Sequence, residues 1–165
     1  MSTNVEMKTS KGAMIIEINE EAAPVTAKNF LSYVEKGFFD GLIFHRVIPG
    51  FMVQGGGMDA DINEKPTDPP IPLESENGLR NDRGAIAMAR TSDPNSATSQ
   101  FFINLNDNDF LNYKGPDNPG YAAFGKVTDG IEVIDEIAKV KTGRKGMHDD
   151  VPQEPVIIES VRKID

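Results

Sequence analysis

The spacing of apolar residues near the start of the chain alternates, which predicts a β-hairpin. Every second residue on either side of a Ser10–Gly12 turn is apolar: Val5, Met7, Met14, Ile16 and Ile18. Successive side chains of a strand point to opposite faces, so this pattern gives two strands that share one buried face.

Two segments follow the period of a helix instead. In the first, four apolar residues have the i, i+3, i+4, i+7 spacing of one helical face: Ala27, Phe30, Leu31 and Val34. Pro24 favours a helix start just before them, and Gly37 favours a stop just after them. A second helix is predicted at about 130–139, with Asp129 as its cap and Glu132 completing a variant of the capping box.

Short apolar runs divided by Gly, Pro and Asn account for most of the remaining chain. They predict strands at 42–47, 51–54, 85–89, 101–105, 122–127 and 156–161. Two helices are too few for a parallel sheet with crossovers, so the pattern favours a barrel or sandwich whose open ends the helices cover. We expect one domain over 1–165, in which the long loop 55–84 wraps the barrel and helps to frame a groove.

Composition removes several classes of function. The 165 residues carry a net charge of -9 and include no cysteine, which excludes disulfides and thiol nucleophiles and argues against a nucleic-acid partner. The polar N-terminus lacks the apolar core of a signal peptide, and no apolar run approaches the length of a membrane span. We therefore expect a cytoplasmic protein that does not act at a membrane.

The residues that usually carry metal or nucleophilic chemistry do not form a site. Of the two histidines, His45 is expected to be a structural residue bonded to backbone, and no nucleophile elbow supports a catalytic triad. The segment 59–64 begins like a calcium loop, but Glu64 stands where that loop requires glycine. The triplet 55–57 lacks the residues of a phosphate loop and predicts close backbone packing. No metal and no cofactor are expected.

Apolar and aromatic residues around one arginine are what remains. Arg46 lies in an apolar strand segment, where an unpaired charge is costly to bury, so it needs either a partner or a function. Strand alternation puts Gln100 and Phe102 on one face and Phe101 on the other, so that one phenylalanine fills the core while the other lines a surface.

The motifs FHRVIPGFMVQGGG at 44–57 and MARTSDPNSATSQFFI at 88–103 are similar to the signature region of the cyclophilins. PVTAKNF, GFFDGLIFHRV, FGKVTDGIEVID and PVIIESV extend the resemblance along the whole chain, and the details look most like the compact bacterial members. The resemblance implies a closed eight-stranded antiparallel β-barrel capped by two helices. It also implies a cofactor-free peptidyl-prolyl cis-trans isomerase that acts on proline-containing peptides and folding proteins.

The resemblance further implies which residues form the site. Arg46, Phe51 and Gln54 would be catalytic, and the proline groove would be completed by Met52, Ala89, Arg90, Gln100, Phe102, Phe110, Leu111 and Tyr121. Three of these depart from the best-known eukaryotic members: Phe110 replaces Trp, Tyr121 replaces His, and Arg90 replaces Asn. Phenylalanine lacks the indole N–H donor, so we expect weakened affinity for cyclosporin A.

Three functions stay open at this point. An isomerase would use Arg46 to stabilise the twisted peptide bond, because rotation about that bond requires no nucleophile, base or metal. A non-catalytic peptide-binding or chaperone module could share the same scaffold, and a small acidic interaction domain outside the family would leave the arginine unexplained. We expect a monomer that discriminates among substrates by the residue preceding proline.

Overall fold

The computed structural model describes residues 2–164, and it is mainly β with two helices. Its elements, in chain order, are β1 (Ser2–Thr9), β2 (Gly12–Asn19), α1 (Pro24–Glu35), β3 (Arg46–Ile48), β4 (Met52–Gly55), β5 (Ala85–Met88), β6 (Phe101–Asn104), a 3-10 helix (Asp109–Leu111), β7 (Ala123–Asp129), α2 (Glu132–Ala138), β8 (Thr142–Lys145), β9 (His148–Pro152) and β10 (Ile158–Ile164). The predicted hairpin, both helices and the later strands are confirmed within a few residues at each end.

Eight of the strands form one antiparallel sheet in the order β10-β1-β2-β7-β5-β6-β4-β3. The sheet curls through 211°, so its concave face surrounds most of the core. The expected closed barrel is not confirmed, because β3 and β10 are the two edges of the sheet and do not pair with each other along their length. The chain just outside these strands makes a bridge between Ile43 and Ile157. Backbone bonds from Phe44 N to Val156 O at 3.0 Å and from Ile158 N to Leu42 O at 2.7 Å flank it, so the two edges meet over this short stretch.

The concave face of the sheet holds the main core. Phe30 of α1 packs against Phe39, Phe101 and Phe124, with ring centroids 5.2, 5.7 and 5.2 Å away. These rings are 0–1% exposed, and α2 adds Ile134 and Ile137 from the other side. Because alternation sends Phe102 to the opposite face from Phe101, a second and smaller apolar cluster forms outside the curl.

The N-termini of α1 and α2 differ in how their free backbone N–H groups are capped. The free N–H groups at the start of α1 are satisfied by Glu74, whose carboxylate accepts hydrogen bonds from Val25 N at 3.2 Å and Thr26 N at 2.6 Å. The proposed Asp129 cap of α2 is wrong, because Ile131 is the N-cap residue and no side chain caps that end. None of the helices described is long and apolar enough to cross a membrane.

The sequence prediction missed a two-stranded sheet formed by β8 and β9. These strands carry few apolar residues and lie mostly at the surface, so they lack the alternation by which half-buried strands are found. By contrast, the close packing predicted at the glycine triplet is confirmed. A Cβ on Gly55 would lie 2.6 Å from the carbonyl oxygen of Ile43, and one on Gly56 would lie 2.6 Å from the Phe101 ring.

Candidate active site

Strand pairing places the central residues of the site in one row across the sheet. Arg46 of β3 is opposite Gln54 of β4, which is opposite Phe102 of β6, which is opposite Ala87 of β5. Directly paired residues of antiparallel strands project from the same face, so this row runs along the convex side. The order of the strands therefore brings an arginine, a glutamine and an aromatic ring side by side.

A cavity of about 130 Å³ lies on this convex face. Nine of the eleven residues expected to form the site line it: Arg46, Phe51, Met52, Gln54, Ala89, Arg90, Phe102, Leu111 and Tyr121. The structure thus brings together residues from β3, β4, β6, the 3-10 helix and three connecting loops.

The floor of this pocket is apolar and rigidly packed. Met52, Phe102 and Leu111 are 2%, 4% and 8% exposed and belong to the smaller apolar cluster, against which Phe51 and Tyr121 pack. The Tyr121 ring meets Phe102 edge to face, with centroids 5.6 Å apart. A compact apolar ring could be held in this pocket on several sides without any polar contact.

Polar side chains form the rim on the β3 side. Arg46 Nη1 donates to Gln54 Oε1 at 3.4 Å, and Gln54 Nε2 donates to Gln100 Oε1 at 3.0 Å. Within residues 2–164, Arg46 forms no salt bridge. The guanidinium is exposed, lines the pocket and has a neutral hydrogen-bond partner as its only one among residues 2–164, so its other N–H groups are available to a bound ligand.

Arg90 also lines the pocket and packs against Tyr121. Both are among the three residues that differ from the best-known eukaryotic sequences. Arg90 Nε and Nη2 donate to Gly120 O at 3.2 and 2.8 Å, and its guanidinium carbon lies 4.5 Å from the centre of the Tyr121 ring. The arginine and the tyrosine therefore form one stacked unit, in which the cation lies over the aromatic face.

Two of the expected residues do not line the pocket. Phe110 is 61% exposed and stacks on Phe51, with centroids 5.6 Å apart and an interplanar angle of 25°. Gln100 lies behind Gln54 and occupies the space that a side chain on Gly57 would need. Phe110 thus extends the outer edge of the site, and Gln100 orients a residue that does line it.

His45 precedes Arg46 but faces the interior. It is 5% exposed, and its Nδ1 has no hydrogen-bond partner among the residues described, so the expected bond to backbone is not made at that atom. Burial, reinforced by the neighbouring His148 and Arg46, lowers the pKa of His45 to about 4. The side chain is thus a neutral buried imidazole near neutral pH and lies outside the pocket lining.

Four buried asparagines behind the pocket were missed by the sequence reasoning. They are Asn81, Asn104, Asn108 and Asn112, which we call the asparagine cluster. Three of them follow the FFI run of β6 within a short stretch, but asparagine is ordinarily a turn residue, and the pattern alone gives no reason to place it inside.

The whole chain resembles solved cyclophilins in structure. It superposes on a cyclophilin-type peptidyl-prolyl cis-trans isomerase of Cryptosporidium parvum with a TM-score of 0.80 at 26% identity, over 100% of this chain and 99% of that one. A second structure of that parasite protein, described as determined in the presence of the dipeptide Ala-Pro, gives 0.79 at 27% identity and covers 98% of this chain and 99% of that one.

Relatives found by comparing sequences share more identical residues with this chain than those solved structures do. The family model for "Cyclophilin type peptidyl-prolyl cis-trans isomerase/CLD" matches residues 4–163. A peptidyl-prolyl cis-trans isomerase of Streptomyces antibioticus is 56% identical over 164 residues, 98% of each chain, and isomerase B of Escherichia coli is 54% identical over 159 residues, 95% of this chain and 97% of that one. The chain belongs to the cyclophilin-type peptidyl-prolyl cis-trans isomerases and is an enzyme of that class.

Proposed function

We propose that the enzyme accelerates rotation about X-Pro bonds by aiming the guanidinium of Arg46 at the proline nitrogen of a substrate held in the apolar pocket. The observation that carries this proposal is the position of Arg46, a cation with a neutral partner at the rim of a pocket whose floor is apolar and buried. A site that served only to bind peptides would have no need of an unneutralised donor there.

The chemistry of the bond explains why such a donor helps. Resonance keeps the peptide bond planar, with a barrier of about 18–20 kcal/mol to rotation. Twisting the bond localises the nitrogen lone pair, which makes the nitrogen a better hydrogen-bond acceptor than it is in the planar state. A fixed donor therefore binds the twisted state more strongly than either ground state, and that difference lowers the barrier.

The pocket supplies the second requirement, which is to keep one side of the bond still. Met52, Phe102 and Leu111 are buried and fixed by their own packing, so a pyrrolidine ring among them would be immobilised. Only the carbonyl on the other side of the bond is then free to rotate. Holding the reacting geometry in this way is worth several kcal/mol in well-oriented reactions.

The magnitudes show that the hydrogen bond from Arg46 does not suffice alone. A gain of about 10⁵ in rate requires about 7 kcal/mol. A hydrogen bond to a charged group contributes about 1.5–3 kcal/mol, so Arg46 supplies less than half. Positioning of the ring and exclusion of water from the pocket account for the rest.

The substrates we propose are proline-containing peptides and unfolded or folding proteins. The Ala-Pro dipeptide named for the Cryptosporidium structure supports this class. Cyclosporin A should bind weakly, because Phe110 presents an exposed ring edge without a donor. The monomeric state and the cytoplasmic location stay predictions from sequence.

Exchange spectroscopy by NMR on a short Ala-Pro peptide tests the activity. Uncatalysed exchange takes roughly tens to hundreds of seconds, and catalytic amounts of the protein should bring it below a second. Binding of the peptide at an unchanged exchange rate would identify a binding module and overturn the proposal.

A further inference from the structure

The asparagine cluster is continuous from one amide to the next. Asn108 Nδ2 donates to Asn104 Oδ1 at 2.8 Å, Asn104 Nδ2 donates to Asn81 Oδ1 at 3.2 Å, and Asn81 Nδ2 donates to Asn112 Oδ1 at 3.2 Å. The four side chains belong to residues that are 0%, 3% or 8% exposed. Linked amides in a dry interior polarise one another and permit few alternative arrangements.

The same amides also bond to the backbone of the pocket wall. Asn108 Nδ2 donates to the carbonyl oxygen of Phe51 at 2.8 Å. Asn81 Nδ2 reaches the carbonyl oxygens of Leu111 at 3.2 Å and Tyr121 at 3.3 Å. Phe51, Leu111 and Tyr121 all line the pocket, and they come from three separate segments of the chain.

None of these three wall residues lies in a β-strand. Phe51 is in the turn between β3 and β4, Leu111 ends the 3-10 helix, and Tyr121 lies in the loop before β7. No sheet ladder fixes their backbone. Single backbone bonds hold them in part, since Phe51 O also accepts from Leu105 N at 2.9 Å and Tyr121 N donates to Leu111 O at 2.9 Å. The buried amides add a second set of bonds, which joins the three segments to one another and to Asn104 on β6. By contrast, Arg46 and Gln54 are fixed by strand pairing and make no bond to the cluster.

We propose that Asn81 and Asn108, with Asn104 and Asn112 behind them, are positioning residues that set the wall of the proline pocket at the correct distance from Arg46. This inference rests on the function proposed above. If it is correct, weakening the cluster loosens the grip on the proline ring while the donor at the rim stays in place. The consequence is a fall in kcat, because the ring is held less firmly in the reacting geometry, together with a rise in KM.

The experiment compares variants of matched stability. Asn108→Ala removes the bond to Phe51, and Val5→Ala truncates a fully buried residue on β1, which makes no contact with the pocket. Both lose buried interactions, so both should lower the melting temperature. At a temperature where each is folded, Asn108→Ala should lose about ten-fold in kcat/KM, through a lower kcat as well as a higher KM, because small displacements of a bound reactant are costly. Val5→Ala should keep the wild-type values.

Asn112→Ala provides a second route if Asn108→Ala does not fold. Asn112 is the most exposed member, and its Oδ1 accepts bonds from both the backbone N and Nδ2 of Asn81, so the variant frees Asn81. It should show the same rise in KM.

The results separate this inference from the function on which it rests. Folded cluster variants with wild-type kcat and KM would make the cluster purely structural and overturn the inference. An equal loss of activity in Val5→Ala would also overturn it, because the effect would then follow general destabilisation. A wild-type protein without activity on the Ala-Pro peptide would instead remove the proposed function itself.

Discussion

Gln54 lies directly opposite Arg46 in the β3–β4 pair, and its Oε1 accepts a hydrogen bond from Arg46 Nη1 at 3.4 Å. Its Nε2 donates to Gln100, so the amide is oriented from behind and presents its oxygen to the arginine. The guanidinium is steered by a neutral group and keeps its full charge for the substrate. This arrangement explains why a glutamine suits this position better than a glutamate, which would neutralise the arginine.

Replacing Gln54 tests that relationship. Gln54→Leu keeps a similar volume but removes the acceptor, so Arg46 should sample more orientations. We expect kcat/KM to fall about ten-fold, equivalent to about 1.4 kcal/mol, in peptide exchange assays. Gln153→Leu, at an exposed position outside the pocket lining, is the matched control and should retain full activity. Equal activity in both variants would show that Gln54 does not orient the arginine.

The buried imidazole of His45 should make stability depend on pH. Its pKa of about 4 in the folded protein lies below the unfolded value of about 6.5, so the unfolded chain takes up the proton first as the pH falls. Stability is therefore complete above about pH 6.5 and declines toward pH 4, by about 2 kcal/mol at pH 5.

Urea unfolding of wild type and His45→Phe at pH 7 and pH 5 measures this contribution. The phenylalanine variant cannot titrate, so the stability lost by wild type between the two pH values should exceed the loss in the variant by about 2 kcal/mol. Carboxylates contribute equally to both proteins and cancel. Parallel losses would contradict a neutral, buried His45.

The glycine at position 56 should be required by packing as well as by its backbone. Gly56 has φ +91°, and a Cβ there would lie 2.6 Å from Phe101 Cε2 and 3.1 Å from Phe39 Cε1. Gly78 has φ +83° with nothing within 4 Å, so it shares the backbone strain without the collision. Gly56→Ala should therefore cost about 1–3 kcal/mol more than Gly78→Ala in urea unfolding. Equal costs would mean that the rings move aside freely.

Arg90 should set a preference for the residue before proline. It carries a positive charge at the edge of the pocket, where its guanidinium stacks on Tyr121. An acidic residue before proline should be favoured, and Arg90→Gln should lower the ratio of Glu-Pro to Leu-Pro rates about three-fold, while Arg90→Lys keeps it. Added salt should weaken the preference. Equal wild-type rates on Ala-Pro, Glu-Pro and Leu-Pro would refute the idea.

Sequence patterns predicted those parts of the fold that have one buried face. The hairpin of β1 and β2 and the helix α1 follow from alternation and from a 3.6-residue period, because burial of one face imposes each pattern. The β8–β9 hairpin could not be predicted in this way, since it buries few apolar side chains and so shows no such pattern. Barrel closure could not be read either, because it depends on how far a sheet curls rather than on which residues face inward.

The residues of the site, like the elements of the fold, could be predicted from the sequence only in part. Strand alternation separated Phe101 from Phe102, and the resemblance to cyclophilins indicated nine residues that line the pocket. The asparagine cluster could not be found from sequence, because the hydrogen bonds between its members join positions up to 31 residues apart through the tertiary fold. The Nδ1 of His45, which has no hydrogen-bond partner within residues 2–164, could not be predicted for a similar reason, since burial of a polar atom leaves no mark in a local pattern.

Replacing Arg46 tests whether its guanidinium lowers the barrier to rotation about the X-Pro bond. Exchange NMR on an Ala-Pro peptide should compare wild type, Arg46→Ala and Arg46→Lys, with peptide affinity measured for each. We expect Arg46→Ala to keep its fold and most of its affinity while losing about 10²-fold or more in kcat, and Arg46→Lys to recover only part, because a point charge lacks the fixed donor geometry. An Arg46→Ala protein that isomerises as fast as wild type would show that the pocket alone performs the catalysis and that Arg46 does not stabilise the twisted bond.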